Sequence, residues 1–192
     1  DDVKMCRCQG VDICGFVTEY PTAVPWNLTR EKCAELLGYL SHPTKSCVVT
    51  GGERAKIISL GQELKPDYIQ LHYHETIEDV KEIVRALSPY GIKVIKAMPV
   101  SKKERMRQFG TEDVAACAKM LCETGVSVIL VDSREPSNAG LRGEMVDISF
   151  YNSVKASADC PVMLGGGITT DNCRDVIARV YPDILDVMTG VE

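Results

Sequence analysis

Eight short apolar runs stand out along the chain: Val3–Cys6, Val11–Val17, Cys47–Thr50, Tyr68–His72, Lys93–Met98, Val126–Asp132, Cys160–Leu164 and Ile184–Met188. They are rich in Val and Ile and nearly continuous rather than alternating, which is how strands buried on both faces read. Between most of them lie stretches with helical periodicity: Thr29–Leu40, Arg54–Leu64, Thr76–Leu87, Thr111–Glu123, Asp147–Ala158 and Thr170–Val180. Thr76–Leu87 is the clearest. Thr76 and Asp79 have capping-box spacing, and Ile77, Val80, Ile83, Val84 and Leu87 form one apolar face. Strand–helix alternation of this kind implies parallel strands joined by right-handed crossovers. Eight such strands favour a closed TIM (β/α)₈ barrel over an open doubly wound sheet. No low-complexity segment or linker interrupts the pattern, so residues 1–192 read as one domain.

Two helices of that scheme are missing from the pattern. If Val3–Cys6 is the first strand, only Arg7-Cys8-Gln9-Gly10 separates it from the second. Four residues span at most about 14 Å, whereas a parallel crossover needs a dozen or more residues. The sequence also closes at Glu192, just after the eighth run, with no eighth helix. Both gaps would expose the same side of the barrel. Either residues are left out of the numbering there, or a partner covers that side, which would favour a homodimer.

Composition narrows the function classes. Hydrophobic residues make up 45% and charged residues 26% of the chain, as in an ordinary soluble globular protein. The net charge of -5 speaks against a nucleic-acid or acidic-membrane partner. No apolar run reaches the roughly 18 residues of a membrane span. Asp1-Asp2-Val3-Lys4 lacks the character of a signal peptide. The nine cysteines are scattered without CxxC spacing, which favours reduced thiols in a cytoplasm over a disulfide framework.

In barrels of this kind the chemistry lies at the C-terminal ends of the strands. Gly165-Gly166-Gly167 after the seventh run and Thr189-Gly190 after the eighth offer backbone amides that can approach an anion closely, and phosphate sites recur at those two loops. Cys6 and Asp132, each closing a run, are a candidate base and acid. His72 and His74 lie two apart on a strand and point to one side, a weak metal signal with no third ligand evident. Lys96, near the end of the fifth run, needs a partner or a ligand if it is buried.

Taken together these residues resemble the phosphoribosylanthranilate isomerases of tryptophan biosynthesis. Val3-Lys4-Met5-Cys6 resembles the family's V-K-I-C opening. Gly10-Val11-Asp12-Ile13-Cys14-Gly15-Phe16-Val17 is similar to its G-A-D-A-I-G-F-V strand. Gln70-Leu71-His72, Val94-Ile95-Lys96-Ala97 and Ile129-Leu130-Val131-Asp132 match its fourth, fifth and sixth strands. Leu164-Gly165-Gly166-Gly167-Ile168 and Asp186-Val187-Met188-Thr189-Gly190-Val191-Glu192 resemble L-A-G-G-L and D-V-S-S-G-V-E.

The resemblance implies an Amadori rearrangement of N-(5-phosphoribosyl)anthranilate to the 1-(2-carboxyphenylamino)-1-deoxyribulose 5-phosphate, with no cofactor and no metal. It casts Asp132 as the general acid that opens the furanose ring and Cys6 as the general base at C2′. Phosphate would rest on amides near Gly166, Gly167, Thr189 and Gly190, with His72, Lys96, Trp26 and Arg142 as further substrate contacts. The sequence departs from the family at Arg7 and Tyr73, where the family has Gly, and across Gly140–Ile148. Trp26 stands where the family's S-P-R-Y carries a carboxylate-binding Arg. Trp stacks on a ring but cannot pair with a carboxylate. Arg7, Arg134 or Arg142 would then supply that charge, or the substrate is a different phosphorylated aminoaldose. A phosphosugar-binding barrel without turnover is the remaining reading.

Overall fold

The structure, a computed structural model, describes residues 2–133 and 147–191. Its elements run α1 (Asp2–Cys8), β1 (Ile13–Val17), α2 (Arg30–Leu37), β2 (Lys45–Thr50), α3 (Arg54–Leu64), β3 (Tyr68–Leu71), α4 (Ile77–Leu87), β4 (Lys93–Met98), α5 (Lys102–Phe109), α6 (Val114–Glu123), β5 (Val128–Val131), α7 (Ile148–Lys155), β6 (Val162–Leu164), α8 (Cys173–Val180) and β7 (Ile184–Leu185). The strands form one parallel sheet in sequential order, β1 through β7. Sequential parallel strands with helical crossovers are the layout of the (β/α) barrel read from the sequence.

The count of strands is the main correction. Val3–Cys6, expected as the first strand, lies inside helix α1. Only Val3 and Cys6, three apart, turn toward the core, while Lys4, Met5 and Arg7 are exposed. That is a helical spacing, hidden in a run too short to show it. The helix ends in a Schellman arrangement: Gly10 at φ 72, its amide on the Arg7 carbonyl at 3.2 Å, and the Val11 amide on the Cys6 carbonyl at 3.0 Å. The impossible four-residue crossover is therefore an ordinary helix-to-strand turn, and the helix thought missing before β1 is α1 itself. Among the described residues no strand precedes β1 and no helix follows β7.

Alternation along the strands sorts their side chains into two layers. Phe16, Val48, Ile69, Leu71, Val94, Met98, Ile129, Val131, Val162 and Leu164 face the helices and pack with Ile57, Leu60, Val80, Ile83 and Leu121. Cys47, Tyr68, Ile95, Val128, Leu130 and Met163 form a separate cluster on the opposite, inner face. Capping behaves as the sequence suggests at α4, where Thr76 and Asp79 close a reciprocal box. Helix α5 was not expected, because Lys102–Phe109 is too charged to show an apolar stripe. Its one signal is Ser101 three residues before Glu104, and the Ser101 side chain accepts from the Glu104 amide.

A candidate active site at the strand ends

The same alternation decides which strand-end residues face inward. His72 continues the phase of Tyr68 on β3, and Asp132 continues that of Val128 and Leu130 on β5. Both reach the inner side, where His72 Nε2 lies 3.4 Å from Asp132 Oδ2. Between their strands stands β4, whose last inner-facing residue is Ala97, with only a methyl group. A small residue there leaves room for the pair to meet.

Asp132 has a second carboxylate for a neighbour. Gly165 donates its amide to the Val131 carbonyl at 2.8 Å, and Asp186 donates to the Leu164 carbonyl at 2.8 Å, so Asp132, Gly165 and Asp186 stand side by side across three strand ends. A Cβ on Gly165 would lie 3.5 Å from Asp132 Cγ and 3.5 Å from Asp186 Cβ. Gly166 is tighter still. Its φ is 87, and a Cβ there would fall on the Ser133 hydroxyl and lie 2.8 Å from both Asp132 Oδ1 and the Ser133 amide. The Ser133 Oγ is buried with no hydrogen-bond partner among the described residues.

The glycine loop continues through Gly167, φ 66, and is clamped by Asn172, which donates to the Gly167 carbonyl at 2.8 Å and accepts from the Thr169 amide at 2.9 Å. Gly190 closes against this loop: a Cβ on it would land on the Ile168 carbonyl oxygen. Gly166, Gly167, Thr189 and Gly190 thus come together in two touching loops, with successive positive-φ peptides of the kind that form anion-binding concavities.

The other expected residues fare differently. Cys6 sits on α1 rather than at a strand end, packed on the helix-facing layer beside Cys14. Burial first, then the Cys6 neighbour, pushes the Cys14 thiol up to about 11. This placement overturns the expectation that Cys6 closes a strand at the mouth. Lys96 shares the phase of Val94 and Met98, so it too points away from the inner face. It is fully buried and ion-paired to Glu75 at 2.9 Å rather than open to a ligand. Arg7 donates to the Tyr39 carbonyl on the outside of the sheet, not to the mouth. Trp26 is half-buried in the loop after β1. Arg30, close to it in sequence, is engaged by Glu19 and Glu63. Arg134 and Arg142 lie outside the described residues. Among those described, no group of His, Cys, Asp or Glu is arranged to hold a metal. His74 pairs with Glu104 of α5 at 2.9 Å instead of joining His72.

Sequence reasoning missed Tyr20, Glu75, Ser133 and Asp186. Tyr20 is buried, its hydroxyl donates to the His72 carbonyl at 2.7 Å, and its ring meets Tyr73 edge-on at 5.9 Å. Burial, then the nearby carboxylates of Glu75 and Asp132, pushes the hydroxyl well above its ordinary range, so it stays a donor. Asn27 ties down the same loop by bonding both the amide and the carbonyl of Tyr20 at 2.9 Å. The only advance signal for Tyr20 was its place just past a strand end.

The family model described as N-(5′-phosphoribosyl)anthranilate (PRA) isomerase matches residues 2–192. A relative of that name from Pseudomonas putida is 31% identical over 194 residues, covering all of this chain and 83% of the relative. One from Haloferax volcanii is 29% identical over 192 residues, covering all of this chain and 79% of its own length. The crystal structure of the phosphoribosyl anthranilate isomerase from Thermotoga maritima superposes with TM-score 0.74 at 26% identity, over all of this chain and 83% of that one. A further isomerase structure, in complex with reduced 1-(o-carboxyphenylamino)-1-deoxyribulose 5-phosphate, gives TM-score 0.71 at 25% identity, over all of this chain and 82% of that one. Among the described residues no helix is long and apolar enough to cross a membrane.

Proposed function

The chain belongs to the N-(5′-phosphoribosyl)anthranilate isomerase family, and from that premise we propose that it isomerises phosphoribosylanthranilate in cytoplasmic tryptophan biosynthesis, with Asp132 as the general acid. The observation that carries this reading is the placement of Asp132 on the inner face, against His72 and beside the glycine loop. A carboxyl group that is 13% exposed and adjoins an imidazole is suited to delivering a proton to a sugar oxygen. The reaction so begun opens the furanose ring to a Schiff base. Loss of the C2′ proton then gives the enolamine that becomes the 1-amino ketose. The phosphate would rest on the amides around Gly166, Gly167 and Gly190, with Thr189 alongside. Trp26 would stack on the aromatic aglycone. The proposed macromolecular partner is a second copy of the chain, as in the dimeric relative from Thermotoga maritima; sedimentation equilibrium tests it.

One observation favours a second reading. Cys6, the expected base, is on the helix-facing layer rather than at the mouth, as in a barrel that binds the phosphosugar without turnover. Rescue of a tryptophan auxotroph lacking the isomerase separates the two. Rescue that is lost in Asp132→Asn supports the isomerase. Failure to rescue by a folded protein that still binds the reduced ribulose phosphate analogue in calorimetry supports binding alone.

A further inference from the structure

Lys96 and Glu75 pose a question that packing does not answer. Both side chains are completely buried, and their Nζ–Oε2 distance is 2.9 Å. Taking two ions out of water is expensive, and an apolar pair of similar shape would pack as well or better. What the charges do here that methyl groups could not is hold backbone. Glu75 Oε1 accepts from the Gly52 amide at 3.0 Å. Its Oε2 accepts from the Tyr73 amide at 3.2 Å. Lys96 Nζ donates to the Tyr73 carbonyl at 3.2 Å. Tyr73 is thus gripped at both ends of its backbone, and it is the residue next to His72.

His72 is held as firmly on its own account. Its amide donates to the Thr50 carbonyl at 3.1 Å, and its carbonyl accepts from Tyr20. The loop after β2 is fitted around the same pair. A Cβ on Gly51 would fall on Tyr73 Cβ and lie 2.8 Å from Glu75 Oε1. The result is a backbone clamp spanning the ends of β2, β3 and β4, placed behind the one imidazole that meets Asp132.

We propose that Lys96 and Glu75 are positioning residues, which lock the His72–Tyr73 backbone so that the His72 imidazole stays against Asp132. The proposal rests on the reading of Asp132 as the acid. Neither residue needs to touch substrate. Displacement of a catalytic contact by about 1 Å is enough to cost on the order of 100-fold in rate.

Two double variants test it in the full chain. Lys96→Met with Glu75→Leu removes both ions and every side-chain acceptor of the clamp, leaving no unpaired charge. Lys96→Met with Glu75→Gln also removes the ions but keeps an amide oxygen for the backbone. Steady-state turnover of phosphoribosylanthranilate and thermal melting are measured for each. The expected result for the leucine variant is a cooperative melt near that of the parent, kcat lowered about 10-fold or more, and KM within about two-fold, since the phosphate loops are untouched. The glutamine variant should recover part of the lost kcat. A folded leucine variant with parental kcat would overturn the proposal, as would equal loss in both variants. Loss of cooperative melting in both would also overturn it, because the pair would then be a folding requirement. Asp132→Asn is assayed alongside. If it stays active, the acid reading fails. If it is inactive while the leucine variant is fully active, only the clamp fails.

Discussion

Replacing Gly166 with alanine would add one methyl group at the point where the loops after β5 and β6 meet. Two costs follow from the structure. Gly166 has φ 87, a conformation that costs an L-residue roughly 1–2 kcal/mol. The new Cβ would also fall on the Ser133 hydroxyl, 2.8 Å from the Ser133 amide and 2.8 Å from Asp132 Oδ1. The hydroxyl can rotate, but the amide is backbone, so the loop must move, at a further cost of about 1–3 kcal/mol. For a domain of this size each kcal/mol lowers Tm by roughly 2–4 °C, so a fall of about 4–20 °C is expected. Because the displaced group is Asp132, turnover should drop by about 10-fold or more. Gly91→Ala is the control. Its φ is 73, yet a Cβ there meets nothing within 4 Å. It should lose only the backbone contribution, about 2–8 °C, with kcat unchanged. Differential scanning calorimetry and steady-state kinetics on the two variants decide the matter. Equal melting temperatures, or full activity in Gly166→Ala, would refute the contact reasoning.

Three further outcomes are expected. Cys6→Ala should keep parental turnover within about two-fold and cost about 1 kcal/mol of stability, because its sulfur packs against Cys14 and not the mouth; abolished turnover would sink that placement. For Glu75, burial pushes the carboxyl up, but Lys96 and the amides of Gly52 and Glu75 itself outweigh it and hold the group below its ordinary range. A depressed folded value means that its stabilisation is present above about pH 4.3 and is lost as pH falls through the folded value, which chemical denaturation as a function of pH would trace. Lys96→Met alone leaves Glu75 as a buried unpaired ion, at a cost of about 3–5 kcal/mol near neutral pH. That deficit should shrink toward acid pH as Glu75 takes up a proton, and a deficit independent of pH would contradict the ion-pair assignment.

Much of the molecule was legible in its residues. The order of strands from Ile13 onward and of every helix there but α5, the Thr76–Asp79 cap, the glycine loop and the inward-facing Asp132 all follow from local patterns: apolar runs, capping spacing and strand phase. Where the reading failed, local pattern was silent or ambiguous. Val3–Cys6 is four residues long, and four apolar-leaning residues suit a strand or a helix equally. Gly10 was the clue that a helix ended there, but its role depends on a positive φ that only the folded chain reveals. Helix α5 carries charge where a stripe would be, so periodicity could not announce it.

The sequence by itself determined the class of fold and which residues close its strands, Asp132 and the glycine loop among them, because these depend on residue type and on spacing within one element. Tertiary structure alone decided the pairings between elements. It set His72 against Asp132, took Lys96 away from the mouth to Glu75, and moved Cys6 to the outer layer. The physical reason is that a buried charge or thiol is defined by what surrounds it. Those surroundings come from segments tens of residues apart, brought together only when the sheet curls and its two faces acquire different neighbours.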